Sequence, residues 1–243
     1  MQEWFEEWFD SPYYHLLYKN RSDHEAKEFV DTIVNHFHLG ANTVLLDLAC
    51  GKGRHSIAFA THGLDVTGVD LSMNSIEHAR QFEHEKLHFY VHDMRHTFRA
   101  NYFDMVCNLF TSFGYFKSAH DNLLAAQSMF HAVKQDGLVL VDFVNRNDAI
   151  RSIESKRDEV IEVGDITFTI KRSYTEQRFI KKINIDDQGK QVCFEESLNS
   201  FTLEEMRSIF SSAGLTLLET FGNYQLSPYD PQTSPRMILV FKK

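Results

Sequence analysis

The sequence predicts a doubly wound α/β fold, a mostly parallel sheet with an antiparallel β elaboration, and three observations predict it. From Thr43 to Asn145 continuous apolar runs alternate with helix-like segments; strands buried on both faces between helical crossovers read as such runs. After Asn145 apolar and polar positions alternate instead, the pattern of strands wet on one face. The first apolar run, "LLDLACGKGRHS" (45–56), breaks into an acid, two glycines and polar residues, as where a strand gives way to a helix at a ligand-binding sheet edge.

In chain order, residues 1–40 form a helical segment whose Phe5, Trp8 and Phe9 share one face, followed by Tyr13, Tyr14 and Tyr18. Two readings stand open: a lid over the ligand, with a tyrosine or Arg21 touching it, or a docking helix that fills the outer core. The strands "TVLLDLAC" (43–50), "LDVTGVDLS" (64–72), "LHFYVHDM" (87–94), "YFDMVCNLF" (102–110) and "LVLVDFVN" (138–145) follow, separated by helical segments. Gly63 and Asp65 close one crossover and Asp136 with Gly137 another, while Ser72 is placed as an N-cap. Residues 151–200 form an antiparallel insertion broken at Gly164 and at Asp187-Gln188-Gly189. "FTLEEMRSIFSSAGL" is then an amphipathic helix, with Thr202 and Glu205 as a capping box and Gly214 as its stop. The strands "TLLETFGNYQL" and "RMILVFKK" end the chain, so 41–150 and 201–243 make one domain around the insertion.

A net charge of -9, from 25 Lys plus Arg against 34 Asp plus Glu, repels a phosphate backbone and disfavours nucleic acid as partner. The insertion, with nine basic and ten acidic residues, is no basic grip either. Cys50, Cys107 and Cys193 are odd in number and widely spaced, which argues against a disulfide framework or thiolate metal site. The acidic start, the absence of a long apolar span and the cysteine usage lead us to expect a cytoplasmic protein without membrane attachment. His84, His88, His92 and His96 recur every four residues, but the middle pair falls in a strand, where four residues span ~13 Å, too far for one ion. We expect no metal.

The loop rules out one ligand class and weakens a second. Lys52 is followed by Gly53 rather than Ser or Thr, so a Walker A phosphate loop fails, and Ser56 stands where a dinucleotide motif has its third glycine. What distinguishes it is a series of acids: three successive strands end in Asp47, Asp70 and Asp93. A carboxylate at the second strand end can accept both hydrogens of a ribose diol, and one at the third can accept from an exocyclic adenine amine.

On these residues the chain resembles the class I S-adenosylmethionine-dependent methyltransferases over Thr43 to Lys243, less the insertion. "LLDLACGKG" is similar to that family's acid-x-Gly-x-Gly-x-Gly loop, with Ala49 in place of the first glycine, a change the loop tolerates if Ala49 keeps a negative φ. "VTGVDLS" and "HDM" resemble its ribose and adenine strands. The resemblance implies a seven-stranded sheet with "RMILVFKK" inserted antiparallel. It also implies S-adenosylmethionine as cofactor: Ala49, Gly51 and Gly53 near the methionine portion and ribose, Asp47 near the methionine amine, Asp70 on the ribose, Leu71 against the adenine, and Asp93 with Met94 at the adenine edge. "NLFTSFGYF", from Asn108 to Phe116, falls where the family places methionine and acceptor; its aromatics either wall a dry pocket around the sulfonium or only cover the next helix.

Methyl transfer from a sulfonium is an in-line displacement that needs alignment more than any nucleophile or metal. A base matters only where the acceptor must lose a proton; His55, Tyr115, His120 and Tyr18 are candidates and the sequence ranks none. The expected activity is methylation of a small molecule, with the insertion covering the acceptor side or forming a homodimer contact. A tRNA or protein acceptor, a nicotinamide-dependent oxidoreductase and a non-catalytic adenosyl-binding module are the alternatives.

Overall fold

The computed structural model describes residues 4–19 and 22–243; Arg21 lies outside the described residues. The five apolar runs form strands β1 (Val44–Leu48), β2 (Asp65–Asp70), β3 (Leu87–Val91), β4 (Phe103–Asn108) and β5 (Val133–Val144). They lie side by side as β5-β4-β1-β2-β3, each neighbour pair parallel. The chain therefore runs outward from β1 to β3 and returns to β4 on the other side of β1. Loops leaving β1 and β4 diverge at this reversal, and a crevice opens between them at the carboxyl edge.

The one-side-wet residues form a separate antiparallel sheet, β6 (Asp158–Val163), β7 (Ile166–Tyr174), β8 (Arg178–Asp187) and β9 (Lys190–Asn199), paired in chain order. Strands β10 (Thr216–Phe221) and β11 (Arg236–Lys242) complete a seven-stranded main sheet, in which β11 runs antiparallel to both β5 and β10.

Alternate strand residues feed two cores. On one face Leu46, Val106 and Val141 pack with Ala126 and Met129 of helix α6 (Ala119–Ala132) and with Met206 and Phe210 of helix α8 (Leu203–Ser212). On the other, Leu45, Val66 and Cys107 meet Phe29 and Ile33 of α3 (Asp23–His36), Phe59 of α4 (Arg54–Thr61) and Ile76 of α5 (Met73–Ala79). A third core lies on the insertion, where Phe168, Ile170, Ile183 and Ile185 bury Trp8 of α1 (Trp4–Phe9) and receive side chains of α2 (Pro12–Leu17). The first two helices thus sit between the insertion and the main sheet, whereas α3 belongs to the main sheet's core.

The local chemistry follows the sequence at most helix ends. The Ser72 side chain caps α5, Thr202 and Glu205 form the capping box of α8, and Gly63 and Gly214 take left-handed φ just past α4 and α8. One boundary moves. Helix α6 ends at Ala132, four residues before Asp136, and Val133 to Gly137 start β5 as an irregular extension whose register against β4 shifts. Asp136 there has φ of 63°, so the turn residues mark a strand irregularity and not the helix end.

Candidate active site

Ala49 departs from expectation: its φ is +67°, and Gly51 and Gly53 also lie in the left-handed region at 55° and 83°. The reason is the exit from β1, where the Ala49 and Cys50 amides both donate to the Val69 carbonyl (2.7 and 3.0 Å) and force a tight turn. A non-glycine residue in this region costs about 1–2 kcal/mol, held here by those bonds. The two glycines then serve differently. A Cβ on Gly51 would meet nothing within 4 Å, whereas one on Gly53 would lie 2.7 Å from the Phe89 ring. Gly51 faces open space, and Gly53 lets α4 approach β3.

The loop borders a cavity of about 750 Å³ whose walls include Ala49, Gly51, Asp70, Leu71, Asp93 and Met94, a size within the roughly 300–1,000 Å³ of small-ligand sites. Asp70 binds the loop to the next helix, since its carboxylate accepts from the Gly51 amide (2.8 Å) and from the Ser72 amide (2.8 Å), one on each oxygen. Burial raises its pKa above the ordinary carboxylate value, against the pull of those amides. Each oxygen keeps lone-pair capacity for a further donor. Burial likewise pushes Asp93 up, but the Arg95 guanidinium, at 2.9 Å from Nε and 2.5 Å from Nη2, and the Arg95 amide bring it below the ordinary value. Asp93 is therefore an anion on the cavity wall.

Three expected residues are placed elsewhere. Asp47 is 1% exposed, points into the interior and accepts from Ser56 Oγ at 2.6 Å; burial raises its pKa to about 6, with Asp70 adding repulsion. Gly53 is the packing glycine just described. Asn108 is fully buried and donates Nδ2 to the Leu48 carbonyl (2.9 Å), tying the ends of β1 and β4, while its Oδ1 has no partner among the described residues. None of the three is on the cavity wall. Of the proton-transfer candidates, His55, Tyr18 and Tyr115 line the cavity and His120 does not.

Aromatic rings line another part of the same cavity. Phe9 lies 5.1 Å from Tyr115 and 5.0 Å from Tyr14, and Tyr14 is 4.9 Å from Tyr18, while Phe5 meets Phe116 at 5.5 Å. The N-terminal aromatics divide between two places, because Trp8 fills the insertion's core while Phe5, Phe9, Tyr14 and Tyr18 face the cavity. Asp10 latches this segment to the ligand edge, accepting from Ser72 Oγ (2.5 Å), the Asn74 amide (3.1 Å) and Asn74 Nδ2 (2.9 Å).

The β4 loop is braced from below. Phe110 and Thr111 both have positive φ (57° and 59°). The Phe110 amide donates to Asp142 Oδ2 (2.8 Å), and half-buried Arg236 bridges Asp142 (2.8 Å) to Thr111 Oγ1 (2.7 Å). Sequence reasoning missed Asp10, Asp142 and Arg236, because each acts on residues more than thirty positions away and no local pattern marks them.

Residues 45–137 match the family described as a methyltransferase domain. A Bacillus subtilis chain named as a putative methyltransferase, YqeM, is 37% identical over 101 residues, 40% of this chain and 41% of that one; the match spans less than half of that relative. The dTDP-3-amino-3,4,6-trideoxy-alpha-D-glucopyranose N,N-dimethyltransferase of Streptomyces venezuelae is 27% identical over 212 residues, 83% of this chain and 88% of that one. Among solved structures, an S-adenosylmethionine-dependent methyltransferase of Clostridium acetobutylicum superposes with a TM-score of 0.78 at 16% identity, covering 95% of each chain.

Proposed function

The chain belongs to the class I S-adenosylmethionine-dependent methyltransferases, and from that premise we propose that it methylates an amine nitrogen of a small molecule, with the donor held in the larger cavity. The observation that carries this reading is the cavity itself, lined by the glycine loop, two strand-end carboxylates and a group of aromatic rings. The residues present fit the donor. Gly51 leaves open space beside the loop, Asp70 has acceptor capacity for the ribose hydroxyls, Leu71 and Met94 offer apolar contact to the adenine, and Asp93 can accept from its amine. Asp47 acts on the methionine end only through the loop above it.

S-adenosylmethionine supplies a methyl group on a sulfonium that is already a good leaving group. The chain's own task is to exclude water and align the acceptor, and aromatic faces suit a site that holds a cation. An amine acceptor must present a free lone pair, so a proton acceptor on the wall, among His55, Tyr18 and Tyr115, would receive any proton the amine carries. The nitrogen assignment is supported by the Streptomyces venezuelae relative, which is named for N,N-dimethylation of an amino sugar. A large acceptor such as tRNA has less support, given the net charge of -9.

Among the described residues no helix is long and apolar enough to cross a membrane. We place the enzyme in the cytoplasm, where the buried free thiols of Cys50 and Cys107 would stay reduced. We take the insertion as the cover of the acceptor side, since its inner face already packs on α1 and α2. The test is a screen of small amines with methyl-labelled donor. Label transferred to at least one amine supports the reading. Transfer only to hydroxyl or macromolecular acceptors overturns it.

A further inference from the structure

We propose that a second, smaller cavity beneath α7 (Arg146–Ser155) seats an anionic group of the acceptor, a carboxylate or a phosphoryl, with Arg172 and Lys181 as the residues that select it. This deepens the methyltransferase reading and rests on it. The cavity measures about 210 Å³ and is walled by Ser152, Arg172, Phe179, Lys181, Glu196 and Tyr115, among others.

Three charged residues stand in one row across the insertion's inner face: Arg172 pairs directly opposite Lys181, and Lys181 opposite Glu196. All three are mostly buried, with side-chain exposures of 23%, 17% and 14%. Like charges directly opposite on adjacent strands repel, and burial weakens the solvent screening that would relieve them. The nearby carboxylates are shared out. Glu159 binds both Arg172 Nη2 (2.5 Å) and Lys156 Nζ (2.7 Å). Glu196 accepts from Trp8 Nε1 (2.7 Å) and Tyr18 OH (2.9 Å) and lies 3.8 Å from Lys181, which also bonds Tyr18. Glu159 is thus divided between two cations, Arg172 and Lys156. Moreover, Arg172 Nη1 is buried with no hydrogen-bond partner among the described residues, whereas buried polar groups are paired as a rule. A planar guanidinium and a second cation side by side on one cavity wall suit the two oxygens of a carboxylate or phosphoryl group.

The position ties this cavity to the reaction. Tyr115 walls both cavities, and Tyr18, on the larger one, bonds Lys181 and Glu196 of the smaller. An acceptor anchored by its anionic end against Arg172 therefore extends toward the partition that borders the donor cavity.

The experiment uses the full chain with S-adenosylhomocysteine, whose binding is first measured by calorimetry. Nitrogen-15 spectra of the arginine side chains then follow titrations with sodium phosphate and, separately, sodium acetate, ionic strength being held constant with chloride. The Arg172 signal is assigned by its loss in Arg172→Gln. We expect a saturable shift of that signal with one anion or both and none with chloride alone; saturation by phosphate only identifies a phosphoryl group, and saturation by acetate a carboxylate. No saturable shift with either anion, in protein that binds S-adenosylhomocysteine, overturns the proposal and leaves the methyltransferase reading intact. Failure to bind S-adenosylhomocysteine counts against that reading instead. If Arg172→Gln folds poorly, Arg172→Lys supplies the assignment instead, and the titrations of the parent chain decide the matter.

Discussion

Replacing Asp47 with asparagine should make the protein more stable at neutral pH, by an amount that grows with pH. The Asp47 side chain is 1% exposed and its one side-chain partner is the Ser56 hydroxyl at 2.6 Å, with Asp70 nearby as a like charge. Burial, then repulsion from Asp70, raises its pKa from 3.8 to about 6, opposed by the Ser56 bonds. A rise of about two units at ~1.4 kcal/mol each amounts to roughly 3 kcal/mol. Because the folded-state value is the higher one, this stability is fully present below 3.8 and is lost as pH climbs through about 6. The asparagine side chain would keep the shape and an acceptor for Ser56 without the buried charge. Urea denaturation of parent and Asp47→Asn at several pH values across that window should therefore show a stability difference that grows by roughly 3 kcal/mol toward neutral pH. A difference that stays flat would refute the assignment of a buried, strained carboxylate beneath the loop.

Three further outcomes follow from the same geometry. Ala49→Gly should stabilise the fold by up to ~1 kcal/mol, the left-handed strain of about 1–2 kcal/mol being partly offset by the ~0.5–1 kcal/mol entropy cost of glycine; a lowered urea midpoint would count against it. Gly53→Ala should destabilise by about 2–4 kcal/mol, through left-handed strain and overpacking against Phe89, read in the same assay. Arg236→Met leaves the buried Asp142 carboxylate without its countercharge, with only the Phe110 amide and the Tyr224 hydroxyl as partners among the described residues, so a loss of about 3–5 kcal/mol is expected, together with weaker donor binding by calorimetry as Thr111 loses its bond to Arg236.

Most of the sheet was legible because β1, β2, β4 and the body of β5 are buried on both faces, and continuous runs such as "LVLVDFV" leave little alternative to a parallel sheet. Asp70 and Asp93 were legible for the same reason: a charged residue ending an apolar strand must emerge at the sheet's edge, and both line the cavity. Asp47 obeys the same pattern yet fails, since β1 is central and the loop folds back over it to bond Val69, sealing the carboxylate inside. The φ of Ala49 was misjudged because a side chain at a left-handed position looks no different in sequence from one at a right-handed position; only the paired amides on Val69 reveal the turn. The double service of the N-terminal aromatics was hidden as well, because the insertion that buries Trp8 lies some 160 residues further along the chain. The Arg172–Lys181–Glu196 row depends on strand register, which alternation alone does not fix to the residue.

The most direct test of the central claim is calorimetric titration of the parent chain and Asp70→Asn with S-adenosylhomocysteine, with circular dichroism confirming that both are folded. The parent should bind, and the variant should bind at least about tenfold more weakly, a change of ~1.4 kcal/mol, as a charge-assisted acceptor on the ribose side is lost. No binding by the parent, or equal binding by the two, would contradict the placement of the donor at the carboxyl edge between β1 and β2.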